Sequence, residues 1–359
     1  MQPLSLRELE SQARQRLDPA IYDFFAGGAD DELTLRANEA AFGSIQLLPR
    51  VLCGRGEPEL DVTLFGARAS MPVLIAPTAF HRLAHPEGEN ATARAAARAG
   101  TIMIASMAST VAIEEVAAAA RAVATGEPRL WFQLYLQPDL GFTTAVIRRA
   151  EAAGCAALVV SADSPSLGRR ERDLRNRFLD LPSGLCCENM RDANGTGPAR
   201  PIVFSPQLSW EHVGWLRKTT ALKIALKGLM HPADARIAVG EGVDAIIVSN
   251  HGGRQLDSVP AAIELLPEIA ESVDGKVPLL VDGGVRRGTD VVKALALGAG
   301  AVAIGRPVLW GLAVAGEDGV SLVLEMLRSE LLRALVFCGC GSLGEVTRDL
   351  LRISQGGRR

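Results

Sequence analysis

The feature that most constrains this chain is a short apolar run, rich in Val, Ile and Leu, that recurs eight times and alternates with Ala-rich helical segments. The runs are Pro72–Pro77 (PVLIAP), Ile102–Ser106 (IMIAS), Leu130–Leu136 (LWFQLYL), Ala157–Asp163 (ALVVSAD), Lys223–Gly228 (KIALKG), Ala245–Asn250 (AIIVSN), Pro278–Gly284 (PLLVDGG) and Ala301–Pro307 (AVAIGRP). Continuous apolar runs that alternate with helices mean parallel strands buried on both faces. Eight units over about 235 residues match an α/β fold of the (β/α)8 TIM barrel type, whose usual size is ~250 residues. Helices are expected at Gly88–Gly100, Val111–Ala122, Leu140–Gly154, Pro232–Gly242, Ala261–Val273 and Gly288–Gly298; several close on the glycine that a helix C-terminus favours.

The spacing breaks once, after the fourth strand, where residues 164–222 hold far more than a crossover helix needs. Within it, Leu181–Pro206 is rich in Gly, Pro, Asn and Ser and reads as a mobile active-site loop. Residues 1–71 supply helices and a short β segment expected to plug the N-terminal end of the barrel. Trp310–Arg328 and Ser329–Val336 read as C-terminal helices. The reading is one domain over 1–359: an N-terminal helical extension (1–71), a barrel (72–307) with its long loop after strand four, and C-terminal helices (308–359).

Composition removes several function classes. Lys and Arg total 38 against 41 Asp and Glu, a formal charge of −3, so there is no basic field to gather nucleic acid or anionic lipid. The six cysteines form no CxxC pair and none stands at zinc-ligand spacing from a His, so no metal is expected and buried thiols in a reducing compartment are the reading. The N-terminal MQPLSLRELESQARQRL reads as a charged helix start without the apolar core of a signal peptide. No uncharged apolar stretch is long enough to span a membrane. The final SQGGRR carries no peroxisomal address, and a cytoplasmic location is expected.

In a TIM barrel the catalytic groups stand at the C-terminal ends of the strands. Six of the runs are polar there: Gln133 and Tyr135 in strand three, Ser161 and Asp163 in four, Lys227 in five, Ser249, Asn250 and His251 at six with Arg254 behind, Asp282 and Arg286 at seven, Gly305 and Arg306 at eight. Strands seven and eight, DGGVRRGTD and IGRP, put glycines and arginines where this architecture often binds phosphate. His251 has Asp163 within the same rim to hold an imidazolium, and Arg254 or Arg170 to take a carboxylate through a bidentate pair. Lys227 closes an apolar strand, which fits either a Schiff-base lysine or a positive charge beside an electron sink.

These residues resemble the FMN-dependent 2-hydroxy-acid oxidases and dehydrogenases, the glycolate oxidase type, from about residue 5 to 350. The motifs carrying it are YDFFAGGADD, MPVLIAPTAF, AHPEGE, FQLY, SLGRRERDLRNRF, LKGL, VSNHGGRQLD, VDGGVRRGTD and IGRPV, in order. The resemblance implies FMN at the barrel mouth. Pro77, Thr78 and Ala79 lie along the flavin, Ser106, Gln133 and Ser161 bond the ring edge, Lys227 faces its electron-rich side and Ser249 the ribityl chain. Asp282, Gly283, Gly284, Val285 and Arg286, with Gly305 and Arg306, take the ribityl and phosphate. It also implies His251 as base with Asp163 behind it, Arg254 and Arg170 on the substrate carboxylate, and Tyr135 on the reacting oxygen. The partners implied are an (S)-2-hydroxy acid and O2, with H2O2 as product, in a homo-oligomer (tetramer or octamer).

Two departures bear on the substrate. Phe24 stands where glycolate oxidase has a tyrosine, and Ala108 where it has a tryptophan, as in mandelate and 4-hydroxymandelate oxidases. The resemblance then implies a larger, less polar pocket made with Phe24, Ala108, Tyr135, Arg170, His251 and Arg254, and a bulky or aromatic substrate. A short-chain glycolate or lactate oxidase stays open if Leu181–Pro206 refills that space. A dehydrogenase passing electrons to another acceptor is disfavoured by Glu188, Arg191, Asp192 and Arg200, which make the loop too polar to enter a membrane. A Schiff-base aldolase using Lys227 and a flavin scaffold without turnover complete the alternatives.

Overall fold

In the computed structural model, which describes residues 3–127, 129–192 and 197–353, all eight runs become strands of one closed barrel. In chain order the barrel strands are Val73–Ile75, Met103–Ser106, Leu130–Leu134, Ala157–Ser161, Lys223–Leu229, Ala245–Val248, Leu279–Asp282 and Ala301–Ile304. Every neighbouring pair is parallel, and the eighth closes on the first with Val302 opposite Val73 and Ile304 opposite Ile75. Most strands stop short of the run that announced them. The residues trimmed off, among them Pro77, Asp163, Asn250 and Gly283–Gly284, leave the ladder to form the mouth.

Strand side chains alternate between the two faces of the sheet. Leu74, Ile104, Trp131, Val159, Ala225, Ile247, Leu280 and Ala303 fill the barrel, while Val73, Phe132, Val160, Ile246, Val281 and Val302 pack outward under the helices. The hairpin Val62–Leu64 and Ala67–Ala69 closes the N-terminal end, with Phe65 against Trp131 at 4.9 Å between rings. The β segment expected to plug the barrel therefore does so. The three N-terminal helices, Leu6–Arg16, Pro19–Ala26 and Leu33–Gly43, go elsewhere. The second and third reach the C-terminal mouth, where Phe24 and Phe25 line the central cavity and Asn38 packs on Gly284, while the first packs against the helix Arg306–Cys338.

The crossover helices start and stop as expected to within a few residues, for example Gly88–Ala99 closed by Gly100 at φ +66°, and Leu140–Ala152 capped by Asp139 on the Phe142 N–H at 2.9 Å. The C-terminal helices differ from expectation. One helical run, Arg306–Cys338, bends at Ala315 and Gly316 rather than near 328. Gly311 and Gly319 touch so closely that a Cβ on Gly319 would lie 1.9 Å from the Gly311 carbonyl oxygen, which is the contact the bend permits. Residues 354–359, part of that expected helical tail, lie outside the described residues.

The long insertion contains the short helix Glu171–Arg175, a 3-10 turn at Glu188–Met190 and the crossover helix Trp210–Thr219. Leu181–Pro206, expected to be mobile, is anchored at its centre: buried Asn189 accepts from the Ile113 N–H at 2.8 Å and donates to the Ser106 carbonyl at 3.1 Å. Its residues 193–196 lie outside the described ones. Among the described residues no helix is long and apolar enough to cross a membrane, and no cluster of His, Cys, Asp or Glu could hold a metal ion. All six cysteines are free.

Candidate active site

The site grows out of strand parity. On six of the eight strands the next inward position, two residues beyond the core-filling side chain, is polar: Ser106 after Ile104, Gln133 after Trp131, Ser161 after Val159, Lys227 after Ala225, Ser249 after Ile247, Asp282 after Leu280. The top layer of the barrel is thus a ring of buried polar groups, and each finds a partner, as burial demands. Ser106 donates to the Gln133 carbonyl oxygen at 3.0 Å, Gln133 to the Ser161 hydroxyl at 3.1 Å, and Lys227 to the Ser249 hydroxyl at 2.9 Å, with Asp282 at 3.2 Å from the ammonium. Burial works against the Lys227 charge, but Asp282 and Asp163 outweigh it and hold the ammonium above the ordinary lysine range. An ammonium bonded to Ser249 and Asp282 has no free lone pair to attack a carbonyl, which counts against the aldolase alternative.

Above the ring sits a cavity of about 740 Å³. Of the expected site residues, Gln133, Ser161 and Ser249 lie in the layer beneath it, and Asp163 stands behind His251; the others line it. His251 begins three successive residues in the left-handed region (φ +57°, +65°, +73° through Gly253), a turn that swings its ring off the end of strand six. Its Nδ1 lies 3.0 Å from both oxygens of Asp163, and its Nε2 lies 3.4 Å from the Tyr135 hydroxyl. Burial opposes the charge of Asp163, but His251 facing it holds the carboxyl below the usual range. Gly228 is required here, since a Cβ would come within 2.4 Å of the Asp163 side chain. Tyr135 is pushed up to about 12 by burial and by Asp163, so its hydroxyl keeps its proton.

Two guanidiniums face the same space. Arg254 spends one amine on the carbonyls of Phe24 (2.7 Å) and Gly27 (2.9 Å) and lies over the Phe24 ring. Burial and the proximity of Arg170 and Arg306 push its pKa well down; burial lowers that of Arg170 as well, whose Nε is buried without a hydrogen-bond partner. Buried like charges that disfavour their own ionisation are a standing demand for an anion.

The other end of the cavity makes the same demand. Arg306 is pulled down to about 10 by burial and by Arg286, although it donates to the carbonyls of Phe25 (3.0 Å) and Gly27 (2.8 Å). Arg286 pairs with Glu39 at 2.7 Å, yet its Nε, like Asp282 Oδ1, is buried with no partner. Gly283 and Gly284 hold φ of +97° and +84°, and a Cβ on Gly284 would lie 1.8 Å from the Asn38 carbonyl oxygen. Only glycine fits that cradle, and the unpartnered groups suit the ribityl hydroxyls and phosphate of the FMN that the sequence implies.

The helix after strand seven has its first N–H groups taken, Arg286 and Arg287 by Asp290 at 3.0 Å and Gly288 by Glu330 at 2.9 Å. The helix after strand eight begins at Gly305 with no side-chain cap, so the positive helix end available to an anion is that one.

Several cavity residues escaped the sequence reading. Phe80, in the left-handed region at φ +60°, stacks on Phe24 at 5.9 Å; Phe178 lies 5.1 Å from Phe24, and Phe204 5.3 Å from Tyr135. Leu185, Cys187 and Ile202 of the long insertion complete this apolar wall, next to Ala108. Asn38 also went unread: its amide pairs reciprocally with that of Asn250 (2.9 and 2.8 Å), joining the glycine cradle to the His251 turn. No local pattern signals any of them, since each is placed by a segment distant in sequence.

Comparison with known proteins agrees across the whole chain. A family model described as FMN-dependent dehydrogenase matches residues 13–353. The peroxisomal (S)-2-hydroxy-acid oxidase GLO4 of Oryza sativa subsp. japonica is 46% identical over 97% of this chain and 95% of its own length. The L-lactate oxidase of a Nostoc species is 46% identical over 98% of each chain. Among solved structures, mandelate oxidase with benzoyl-formic acid superposes with a TM-score of 0.89 at 43% identity, covering 98% of both chains. The same enzyme with (S)-2-phenylpropionate gives 0.89 at 44% identity, again over 98% of each.

Proposed function

The chain belongs to the FMN-dependent dehydrogenase family, and from that premise we propose that it oxidises an (S)-2-hydroxy acid with a bulky or aromatic side chain to the 2-oxo acid. Mandelate and 4-hydroxymandelate are the model substrates, with O2 as acceptor and H2O2 as product. The observation that carries this reading is the shared cavity, in which an imidazole–carboxylate pair and two anion-seeking guanidiniums stand beside an aromatic wall.

FMN would be held by the backbone of Pro77–Ala79 along one edge, by Lys227 and the buried ring below it, and by Asp282–Arg286 with Gly305 and Arg306 at its phosphate. When bound it supplies a two-electron acceptor that passes the pair to O2. The protein's part is position and proton. Arg254 and Arg170 fix the substrate carboxylate, which relieves their mutual repulsion. Asp163 accepts the Nδ1–H of His251 and so leaves Nε2 as the free base that takes the substrate's proton. The carboxylate then steadies the imidazolium. Tyr135, protonated throughout the physiological range, donates to the oxygen that becomes the ketone. Lys227 keeps a fixed positive charge under the site, ready for negative charge arriving at the cofactor.

The apolar wall supports the larger substrate, because Phe24, Phe80 and Phe178 offer a side-chain pocket no polar group and Ala108 leaves it open. Short-chain oxidation is the second reading, favoured by the glycolate and lactate oxidases among the relatives. A panel of 2-hydroxy acids decides between them. Anaerobic bleaching of the yellow holoenzyme is expected to be fast with (S)-mandelate and slow with glycolate; the reverse order overturns the aromatic reading. Rapid reoxidation by air is expected, and a reduced enzyme stable in air overturns O2 as acceptor.

A further inference from the structure

One buried carboxylate takes no part in the chemistry above. Glu89, in the first turn of the helix Gly88–Ala99, is 1% exposed. It accepts three hydrogen bonds: from the His81 N–H at 3.1 Å, the Thr110 N–H at 2.8 Å and the Thr110 hydroxyl at 2.7 Å. His81 and Thr110 belong to the loops after barrel strands one and two. Those loops are stitched further: the Arg82 N–H donates to the Thr110 hydroxyl at 3.1 Å, and the Phe80 N–H to the Ala108 carbonyl at 3.1 Å. His81 is itself clamped between Thr78 (2.6 Å) and Thr92 (2.9 Å), and burial keeps its imidazole neutral.

Each loop carries a residue that lines the cavity, Phe80 on one and Ala108 on the other, and the bond from the Phe80 N–H joins the two. Phe80 sits in a left-handed conformation (φ +60°, ψ +51°) that a bulky L-residue avoids unless its surroundings impose it. The imposed conformation stacks its ring on Phe24, with the planes 25° apart. What imposes it is the anchoring of the next residue, His81, to Glu89, while the same carboxylate fixes Thr110 two residues past Ala108.

We infer that Glu89 is a positioning residue for substrate selection: by tying the loops after strands one and two to one buried carboxylate, it holds the Phe80 ring against Phe24 and keeps open, above Ala108, a flat slot for an aryl side chain. The inference rests on the aromatic reading of the site. A carboxylate suits the task because it only accepts, and every group aimed at it donates. A glutamine keeps the two N–H bonds only by turning its own N–H onto the Thr110 hydroxyl, which must then reverse from donor to acceptor, and the charge-assisted character of all three bonds is lost.

The test measures kcat and KM for (S)-mandelate and (S)-lactate in the FMN-loaded wild type, Glu89→Gln, Phe80→Ala and the double variant. Glu89→Gln is expected to lower the mandelate-to-lactate ratio of kcat/KM about tenfold, chiefly through KM for mandelate, because the slot contributes binding of the side chain. The dissociation constant for FMN, read by fluorescence, is expected to stay within about threefold of wild type, since no residue facing the phosphate touches Glu89. Adding Glu89→Gln to Phe80→Ala is expected to shift the ratio no further, as both changes act through one ring. Equal losses on both substrates, or additive effects in the double variant, overturn the inference. Should Glu89→Gln fail to fold, Thr110→Val, which removes one of the three donors, is expected to give a smaller shift of the same sign, and Thr110→Ser to restore the wild-type ratio; an unmoved ratio in Thr110→Val overturns it. The wild-type ratio reports separately on the aromatic reading: a lactate preference sinks that reading, whereas the change on mutation tests Glu89.

Discussion

The two ends of the cavity are built in opposite ways. At the end proposed for the phosphate the walls are backbone: Gly283 and Gly284 in the left-handed region, packed on Asn38, with the helix start at Gly305, which has no side-chain cap, lining the same cavity. At the substrate end the walls are side chains brought from five places, among them Phe24 of the N-terminal helices, Phe80 and Ala108 of adjacent loops, and Phe178 and Phe204 of the insertion. A backbone cradle tolerates one ligand shape and almost no substitution. A side-chain wall can be re-cut by single replacements without disturbing the barrel, so selectivity belongs at that end and cofactor retention at the other. The arginines share the same division, Arg286 and Arg306 at one end, Arg254 and Arg170 at the other, although Arg254 and Arg306 both lean on the Gly27 carbonyl.

That division can be broken or sharpened. The largest effect is expected from His251→Asn, which removes the proposed base at the substrate end: turnover should fall roughly 10³-fold while the flavin spectrum and FMN affinity stay near wild type. Loss of bound FMN in that variant would show that the ends are not separable. Next is Arg286→Met at the end proposed for the phosphate, which removes the guanidinium expected to bond to the cofactor. FMN affinity, measured by titrating the apoprotein, should drop about 100-fold, equivalent to some 2.7 kcal/mol, with the mandelate-to-lactate ratio unchanged once FMN saturates.

A smaller effect is expected from Ala108→Trp, which fills the slot: activity on mandelate should fall about tenfold more than on lactate, and an unchanged ratio defeats the aromatic reading. The smallest concerns pH. Tyr135 titrates near 12 and Lys227 above the ordinary lysine range, so both are protonated across the neutral and mildly alkaline range. Because both folded-state values are raised, the stability they add is intact below the unfolded values, about 10, and is lost only as pH rises through the folded ones. Activity and thermal stability should therefore show no loss from either group between pH 7 and 9, at about the level of measurement error; a basic limb that vanishes in Tyr135→Phe would contradict the placement of that hydroxyl.

The same contrast explains what could be read from the chain. The barrel was legible because each strand is an uninterrupted apolar run, and the polar ring because Gln133, Ser161, Lys227 and Asp282 break those runs at fixed parity. The glycine cradle was legible because only glycine tolerates the backbone of Gly283 and Gly284, so the sequence must spell it out in DGG. Phe80, Phe178, Phe204, Asn38 and Glu89 were not legible. A phenylalanine or a buried glutamate carries no local mark of what it will face across a cavity. The destination of the N-terminal helices was misread for a related reason: amphipathic pattern says that a helix packs, not onto which end of a barrel.

By itself, then, the sequence determined the barrel, the ring of polar strand ends and the glycine cradle, since periodicity and glycine placement are local requirements written into consecutive residues. Only the tertiary structure decided which helix start is left without a side-chain cap, how the Arg254 and Arg306 guanidiniums are steadied by the carbonyls of Phe24, Phe25 and Gly27, and which aromatic rings wall the cavity. Those outcomes depend on residues more than two hundred positions apart meeting in space, and no spacing rule along a chain encodes such a meeting.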